Sequence, residues 1–217
     1  MEKAVALVSG GMDSAVTLFI AKQKYEPYAL IFDYGQKARK EIRCAQRITE
    51  AAGCKACVLK ISMPWKGSAL LDKKKAIPKI NINRAKSIPD TYVPARNIIF
   101  LSFAVSFAEA IGAGAVFIGA HQMDFSNYPD CRGEFFENFQ RTIRKGTKYG
   151  AEGHPVKIIT PILNKTKREI VEIGDRLGVP FKKTWSCYKG GSRPCGVCES
   201  CMFRAKGFRE AGVKDPL

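Results

Sequence analysis

Four cysteines crowd the end of the chain, Cys187, Cys195, Cys198 and Cys201, in the spacing C-x7-C-x2-C-x2-C. Four thiolates this close suit tetrahedral Zn2+, and Gly190, Gly191 and Gly196 let the intervening chain fold back around a metal. With sulfur at every position no room is left for water or substrate, so the centre expected is one structural Zn2+ per subunit. A four-cysteine iron–sulfur cluster is the competing reading, because the same ligands serve both. The other cysteines carry less. Cys54-x-x-Cys57 and Cys44 read as ordinary buried residues, and Cys131 has no base beside it in sequence that would make it a nucleophile.

The second group able to do chemistry is Ser9-Gly10-Gly11-Met12-Asp13-Ser14. Glycines let a backbone turn tightly beside a ligand, and the first amides of a following helix point at whatever sits above them, so the segment is built for an anion. Ser9 and Ser14 offer hydroxyls to phosphate oxygens. Asp13 fits beside phosphate if Mg2+ bridges the two or if its carboxylate caps the helix. The segment is neither a Walker A loop nor the dinucleotide fingerprint.

The elements that must hold these groups follow from periodicity. Short β-rich apolar runs are expected at Val5–Val8, Tyr28–Phe32, Cys57–Ile61, Val116–Gly119 and Lys157–Ile159. Helices are expected at Ser14–Lys24, Lys37–Ala52, Asn97–Ile111, Glu134–Lys145 and Thr166–Leu177. Repeated strand-then-helix order implies an α/β fold: a doubly wound, mostly parallel five-stranded sheet covered on both faces. Ligands of such sheets bind beyond the carboxyl ends of the strands. Two segments break the alternation, a basic insertion at 62–90 that reads as a lid and a small metal-binding tail at 184–217 following an α/β domain at 1–183.

The chain has 217 residues, 46% hydrophobic and 26% charged, which excludes disorder, collagen and coiled coil, and its net charge is +16. Such a field favours polyanions: ATP, a carboxylate substrate or nucleic acid. The apolar run Ala4–Val8 is too short for a secretion signal, so a cytoplasmic protein is expected. Ile98–Ala120 approaches the length of a membrane span, but Glu109 and Gly112-Ala113-Gly114 interrupt it, and a buried helix followed by a buried strand is expected instead.

The full hexapeptide Ser9–Ser14 between first strand and first helix resembles the SGGxDS loop of the PP-loop ATP pyrophosphatases, which adenylate a substrate and release pyrophosphate. Four further blocks narrow the resemblance. Phe32-Asp33-Tyr34-Gly35-Gln36, Tyr92-Val93-Pro94-Ala95-Arg96-Asn97, Asp124-Phe125-Ser126-Asn127-Tyr128-Pro129-Asp130-Cys131-Arg132, and Trp185-Ser186-Cys187-Tyr188 with the later cysteines are similar to the 7-cyano-7-deazaguanine (preQ0) synthase family. The resemblance covers nearly the whole chain.

The resemblance implies an adenine nucleotide alpha hydrolase-like, Rossmann-like fold and ATP- and Mg2+-dependent conversion of 7-carboxy-7-deazaguanine and ammonia to the nitrile in queuosine and archaeosine precursor synthesis. It implies a nucleotide held along Val8, Ser9, Gly10, Gly11, Met12, Asp13, Ser14, Ala15, Val16, Thr17 and Leu18, and catalytic roles for Asp13, Lys167 and Arg96. Lys165 competes with Lys167 as the phosphate lysine. Substrate contacts fall to Tyr34, Gln36, Arg96, Asp124, Tyr128, Asp130 and Arg132. Arg96 suits a carboxylate or phosphate bidentately, and Tyr128 suits stacking on a bicyclic ring. Homodimers are common in the family, and no obligatory nucleic-acid or membrane partner is implied. The run Gly119-Ala120-His121-Gln122-Met123 and Asn127 depart from the usual pattern, which bears on substrate identity; His121 reads as a polar loop residue. Two readings compete, a PP-loop tRNA-thiolating or lysidine-forming enzyme and a non-catalytic zinc-containing nucleic-acid module.

Overall fold

The computed structural model describes residues 1–65, 67–79, 88–121 and 128–217. Five strands, β1 (Glu2–Leu7), β2 (Tyr25–Asp33), β3 (Lys55–Lys60), β4 (Ala115–Phe117) and β5 (Lys157–Ile159), form one parallel sheet in the order β3-β2-β1-β4-β5. The helices are α1 (Met12–Ala21), α2 (Lys40–Ala51), α3 (Arg96–Ile111), α4 (Gly133–Gly146), α5 (Lys148–Ala151), α6 (Lys167–Arg176) and α7 (Glu199–Glu210).

Successive strand residues point to opposite faces, and the central strands obey this strictly. Ala4, Ala6, Val8, Ala29, Ile31, Ala115 and Phe117 pack with α1, α2 and α6 on one face. Val5, Leu7, Leu30, Phe32, Val116 and Ile118 pack with α3 and α4 on the other. The sheet is therefore doubly wound, with β2 on one side of β1 and β4 on the other. That change of direction opens a crevice at the carboxyl ends of β1 and β4.

Three differences from the expected elements have physical causes. β3 is not sandwiched: it is the sheet edge, with Lys55, Ala56, Val58 and Lys60 exposed, and its lysines blunt the unpaired edge. β4 ends at Phe117 rather than Gly119 because the chain there passes the first turn of α1; a Cβ on Gly119 would sit 3.0 Å from the Asp13 carbonyl. Helix α7 was not expected, since Gly207 and a weak apolar stripe hide it; it packs on α6 and buries Phe208 in the core shared with α1. In the 62–90 insertion, Met63 and Leu70 join the α3 side of the core, while residues 66 and 80–87 lie outside the described residues.

Among the described residues no helix is long and apolar enough to cross a membrane. The stretch Ile98–Ala120 resolves into most of α3, a left-handed turn at Gly112 and β4.

Candidate active site

The crevice holds a cavity of about 270 Å3. Its lining brings together the end of β1 and the start of α1, the segment after β2, the first turns of α2 and α3, the segment after β4, Lys167 of α6 and the tail.

The loop after β1 is organised by its own hydroxyls. Ser9 Oγ donates to Ser14 Oγ at 3.0 Å and accepts from Gly11 N–H; Ser14 Oγ donates to the Gly11 carbonyl at 3.0 Å and accepts from Ser9 N–H. Among the described residues no side chain caps α1, so its leading N–H groups are open to an anion. The two glycines do different jobs. Gly10 has φ +89°, and a Cβ there would lie 2.2 Å from the Glu41 carbonyl, so it is required by α2. A Cβ on Gly11 would meet nothing nearer than 3.5 Å, leaving space above the loop. Val8, Ser9, Gly11, Met12, Asp13 and Ser14 line the cavity, whereas Gly10, Ala15, Val16, Thr17 and Leu18 do not. Ala15, Val16 and Leu18 are core residues on the buried side of α1.

Asp13 neither caps α1 nor stands alone. Lys167 Nζ donates to both its oxygens at 2.8 Å and also contacts His121 Nε2, which lies 3.7 Å from Asp13 Oδ2. Burial pushes the Asp13 carboxyl up, but Lys167 and then His121 outweigh it and hold the group below the usual carboxylate range. A capping box between Thr166 and Glu169 starts α6 and fixes Lys167 in its first turn. Lys165 pairs instead with Glu169 at 3.2 Å, outside the cavity.

Opposite the loop stands Arg96, the first residue of α3. It follows Ala95, the one described non-glycine residue with positive φ (+54°), whose N–H donates to Tyr92 Oη at 3.0 Å. The Arg96 guanidinium donates to Tyr34 Oη at 3.4 Å and has no carboxylate within ion-pair distance among the described residues. Gln36 accepts from Tyr34 N–H at 3.0 Å and donates to the Phe32 carbonyl at 3.2 Å, so both ends of its amide staple the loop that presents Tyr34. Tyr128 lines the cavity, held by a 2.6 Å hydrogen bond to Thr91.

Other expected contacts lie elsewhere. Asp130 is buried outside the cavity, where Oδ2 accepts from Asn97 N–H at 3.1 Å and so caps α3. Arg132 is exposed at the start of α4 and does not line the cavity. Asp124, like Gln122, Met123 and Asn127, lies outside the described residues. Cys131 does reach the cavity wall, but burial pushes its thiol up to about 11, so it remains protonated. Glu41, His121, Glu199 and Trp185 line the cavity without having been expected there. Trp185 and Glu199 fall within the tail motifs, but no local motif marks Glu41; only the fold brings it to the crevice.

The four tail cysteines have sulfurs all within 4.8 Å of one another. A tetrahedral Zn2+ with Zn–S bonds of about 2.3 Å needs sulfurs about 3.8 Å apart, so the set fits a metal after small adjustments. Cys195 N–H donates to Cys187 Sγ and Cys198 N–H to Cys195 Sγ, each at 3.4 Å. Burial raises the Cys195 thiol, yet the Val197 and Cys198 amides hold it at about 6, near the thiolate a metal requires. This centre touches the site. Cys198 is the N-cap of α7, whose Glu199, Ser200, Phe203 and Arg204 line the cavity, and Trp185 N–H donates to the Gly10 carbonyl at 2.8 Å.

A family model described as "Queuosine biosynthesis protein QueC" matches residues 3–212. A 7-cyano-7-deazaguanine synthase of Clostridium kluyveri is 48% identical over 221 residues, covering all of this chain and 97% of that protein. One from Acetivibrio thermocellus is 48% identical over 219 residues, with coverage of 100% and 97%. Among solved structures, NMN synthetase from Francisella tularensis superposes with a TM-score of 0.52 at 15% identity, over 98% of this chain and 78% of that one, a likeness of fold alone. A match running from β1 through α7, with nearly half the residues identical to full-length relatives, places the chain in the QueC family of queuosine biosynthesis proteins.

Proposed function

We propose that the chain is a 7-cyano-7-deazaguanine synthase that uses ATP to convert 7-carboxy-7-deazaguanine and ammonia to the nitrile, releasing AMP and pyrophosphate. One observation carries the reading: a single cavity joins a helix N-terminus uncapped among the described residues and the Asp13–Lys167 pair to a guanidinium, Arg96, that makes no ion pair among those residues. The first set suits a triphosphate and the second an anionic substrate.

A carboxylate is a poor electrophile, and its transfer to phosphorus makes AMP the leaving group. Arg96 holds the substrate carboxylate against the α-phosphate, and Tyr34 fixes the guanidinium. The α1 amides and Lys167 take up the charge that builds on the phosphates. Mg2+ entering with ATP would be held at Asp13 and would add Lewis-acid stabilisation of the leaving pyrophosphate. Tyr128 stacks on the bicyclic ring. Amination of the first adenylate gives the amide, and adenylation of the amide oxygen followed by loss of AMP gives the nitrile, so no protein nucleophile is needed.

We assign the Cys187, Cys195, Cys198 and Cys201 centre to one structural Zn2+ that fixes the start of α7. We also infer a cytoplasmic homodimer contacting through α3, whose sequence is apolar on nearly every side and which exposes Ile98 and Phe103. Incubation with ATP, ammonium and 7-carboxy-7-deazaguanine tests the activity. AMP and a nitrile product are expected; their absence overturns the reading, and AMP release stimulated by tRNA would replace it with a tRNA-modifying one.

A further inference from the structure

The cavity wall carries two acidic side chains, Glu41 and Glu199, that the mechanism above leaves without a task. Glu41 stands in the first turn of α2, and its backbone carbonyl is locked against Gly10 of the phosphate-side loop. The side chain lines the cavity between that loop and Arg96, beside Tyr34. It makes no hydrogen bond or ion pair with any described residue. A half-buried carboxyl set in the cavity wall near Arg96, with no hydrogen bond of its own among those residues, points to a ligand group that uses it.

The other carboxylates of the cavity, Asp13 and Glu199, are governed by Lys167 rather than Arg96. Asp13 is gripped through both oxygens by Lys167, and His121 contacts the same ammonium. Glu199 faces Lys167, and Cys131 is a protonated thiol. Burial lifts the Glu41 carboxyl to about 8, with Arg96 the opposing influence, which puts it near the range where a side chain exchanges protons effectively at neutral pH.

Resting on the function proposed above, we propose that Glu41 is the general base that generates the nitrogen nucleophile, taking a proton from ammonium bound beside the acyl adenylate. Near neutrality the nitrogen source is almost entirely ammonium, which has no lone pair to attack with. The ionised form of Glu41, which Arg96 favours, accepts one proton and frees ammonia. Its lone pair forms the C–N bond at the acyl carbon, and the C–O bond to AMP breaks with its electrons leaving on the phosphate. Of the four original N–H protons two stay in the amide, one is on Glu41 and one passes from the tetrahedral adduct to the departing AMP. Glu41 returns its proton to solvent as products leave.

Exchange of labelled pyrophosphate into ATP, driven by 7-carboxy-7-deazaguanine without ammonium, isolates adenylation from amination. If the wild-type protein shows no exchange, the function proposed above fails and takes this step with it. Given exchange, Glu41→Gln is expected to retain it within about threefold while ammonium-dependent turnover falls about 100-fold. Hydroxylamine, already unprotonated at neutral pH, is expected to bring hydroxamate formation by the variant to within about threefold of wild type. Normal ammonium turnover by Glu41→Gln, equal loss of exchange and turnover, or no rescue by hydroxylamine each overturns the assignment. Should Glu41→Gln fail to fold, Glu41→Asp carries the same test: exchange kept, amination lowered, hydroxylamine restoring it; any other pattern sinks the idea.

Discussion

Lys167 and Asp13 lie 154 residues apart in the chain, yet the lysine ammonium sits 2.8 Å from both oxygens of the carboxylate. The pair ties the phosphate-side loop to the start of α6 across the switch point of the sheet. An ammonium in the first turn of a helix is unfavourable beside the macrodipole, and Lys167 is only 5% exposed, so Asp13 is what makes its charge tolerable there. Asp13→Asn is therefore expected to lower substrate-dependent pyrophosphate exchange at least tenfold, about 1.4 kcal/mol in barrier, in a protein that still folds. A variant exchanging at the wild-type rate would contradict the role given to this pair.

The same pair sets an acid limit on stability. Asp13 titrates below its unfolded value, so its contribution is fully present above the ordinary carboxylate range and is lost as pH falls through the depressed folded value. Wild-type melting temperature is expected to drop more steeply below about pH 4 than that of Asp13→Asn, whose amide does not titrate. Parallel pH–melting curves for the two proteins would contradict this.

Gly207 of α7 seats Lys167 from behind. A Cβ at Gly207 would stand 2.8 Å from Lys167 Cβ and 2.9 Å from its carbonyl oxygen, so Gly207→Ala must push α6 and α7 apart. The expected cost is about 1–3 kcal/mol of stability, with ATP affinity weakened about tenfold and metal content unchanged. Calorimetric titration with a non-hydrolysable ATP analogue alongside metal analysis checks both halves. Unchanged affinity would mean that α7 does not set the position of Lys167.

The tail centre and the phosphate-side loop are similarly joined. Trp185 bonds to the Gly10 carbonyl, its ring lies under Lys40 Nζ at 3.5 Å, and the chain then enters the cysteine cluster at Cys187. Cys198→Ala is expected to lose the metal, melt at lower temperature and change the Trp185 environment, seen as a shift of tryptophan emission. A soluble, metal-free variant with wild-type melting and emission would remove the structural role.

What could be read from the sequence was local. The Ser9–Ser14 loop and the cysteine cluster are contiguous, and their chemistry depends on neighbours only a few residues away. Groups that meet through the fold left no such mark: Glu41 lies in the first turn of an ordinary amphipathic helix, and His121 follows a strand like any polar loop residue. Asp130 illustrates the opposite error. A carboxylate in the connection between a strand and the next helix looks the same whether it faces a ligand or a helix end, and here it faces the N–H of Asn97. Gln36 differs from it, lining the cavity while its side chain holds Tyr34 in place through the loop backbone.

Ala95 offers a test in the stabilising direction. At φ +54° its Cβ crowds the backbone, a left-handed conformation costing about 1–2 kcal/mol for a residue with a side chain. The strain is local to the turn that launches α3 and aims Arg96 into the cavity, and the Tyr92 hydroxyl bonded to Ala95 N–H helps to hold it. Glycine adopts the same angles freely but brings an unfolded-state entropy penalty of about 0.5–1 kcal/mol, so the net gain from Ala95→Gly is about 0.5–1 kcal/mol. Urea unfolding is expected to give a higher midpoint at unchanged slope, with the KM for the deazaguanine substrate preserved because Arg96 keeps its place. A lower midpoint would show that the turn relaxes by another route. A higher midpoint with a raised KM would show that the strain itself, and not merely the turn, positions the guanidinium.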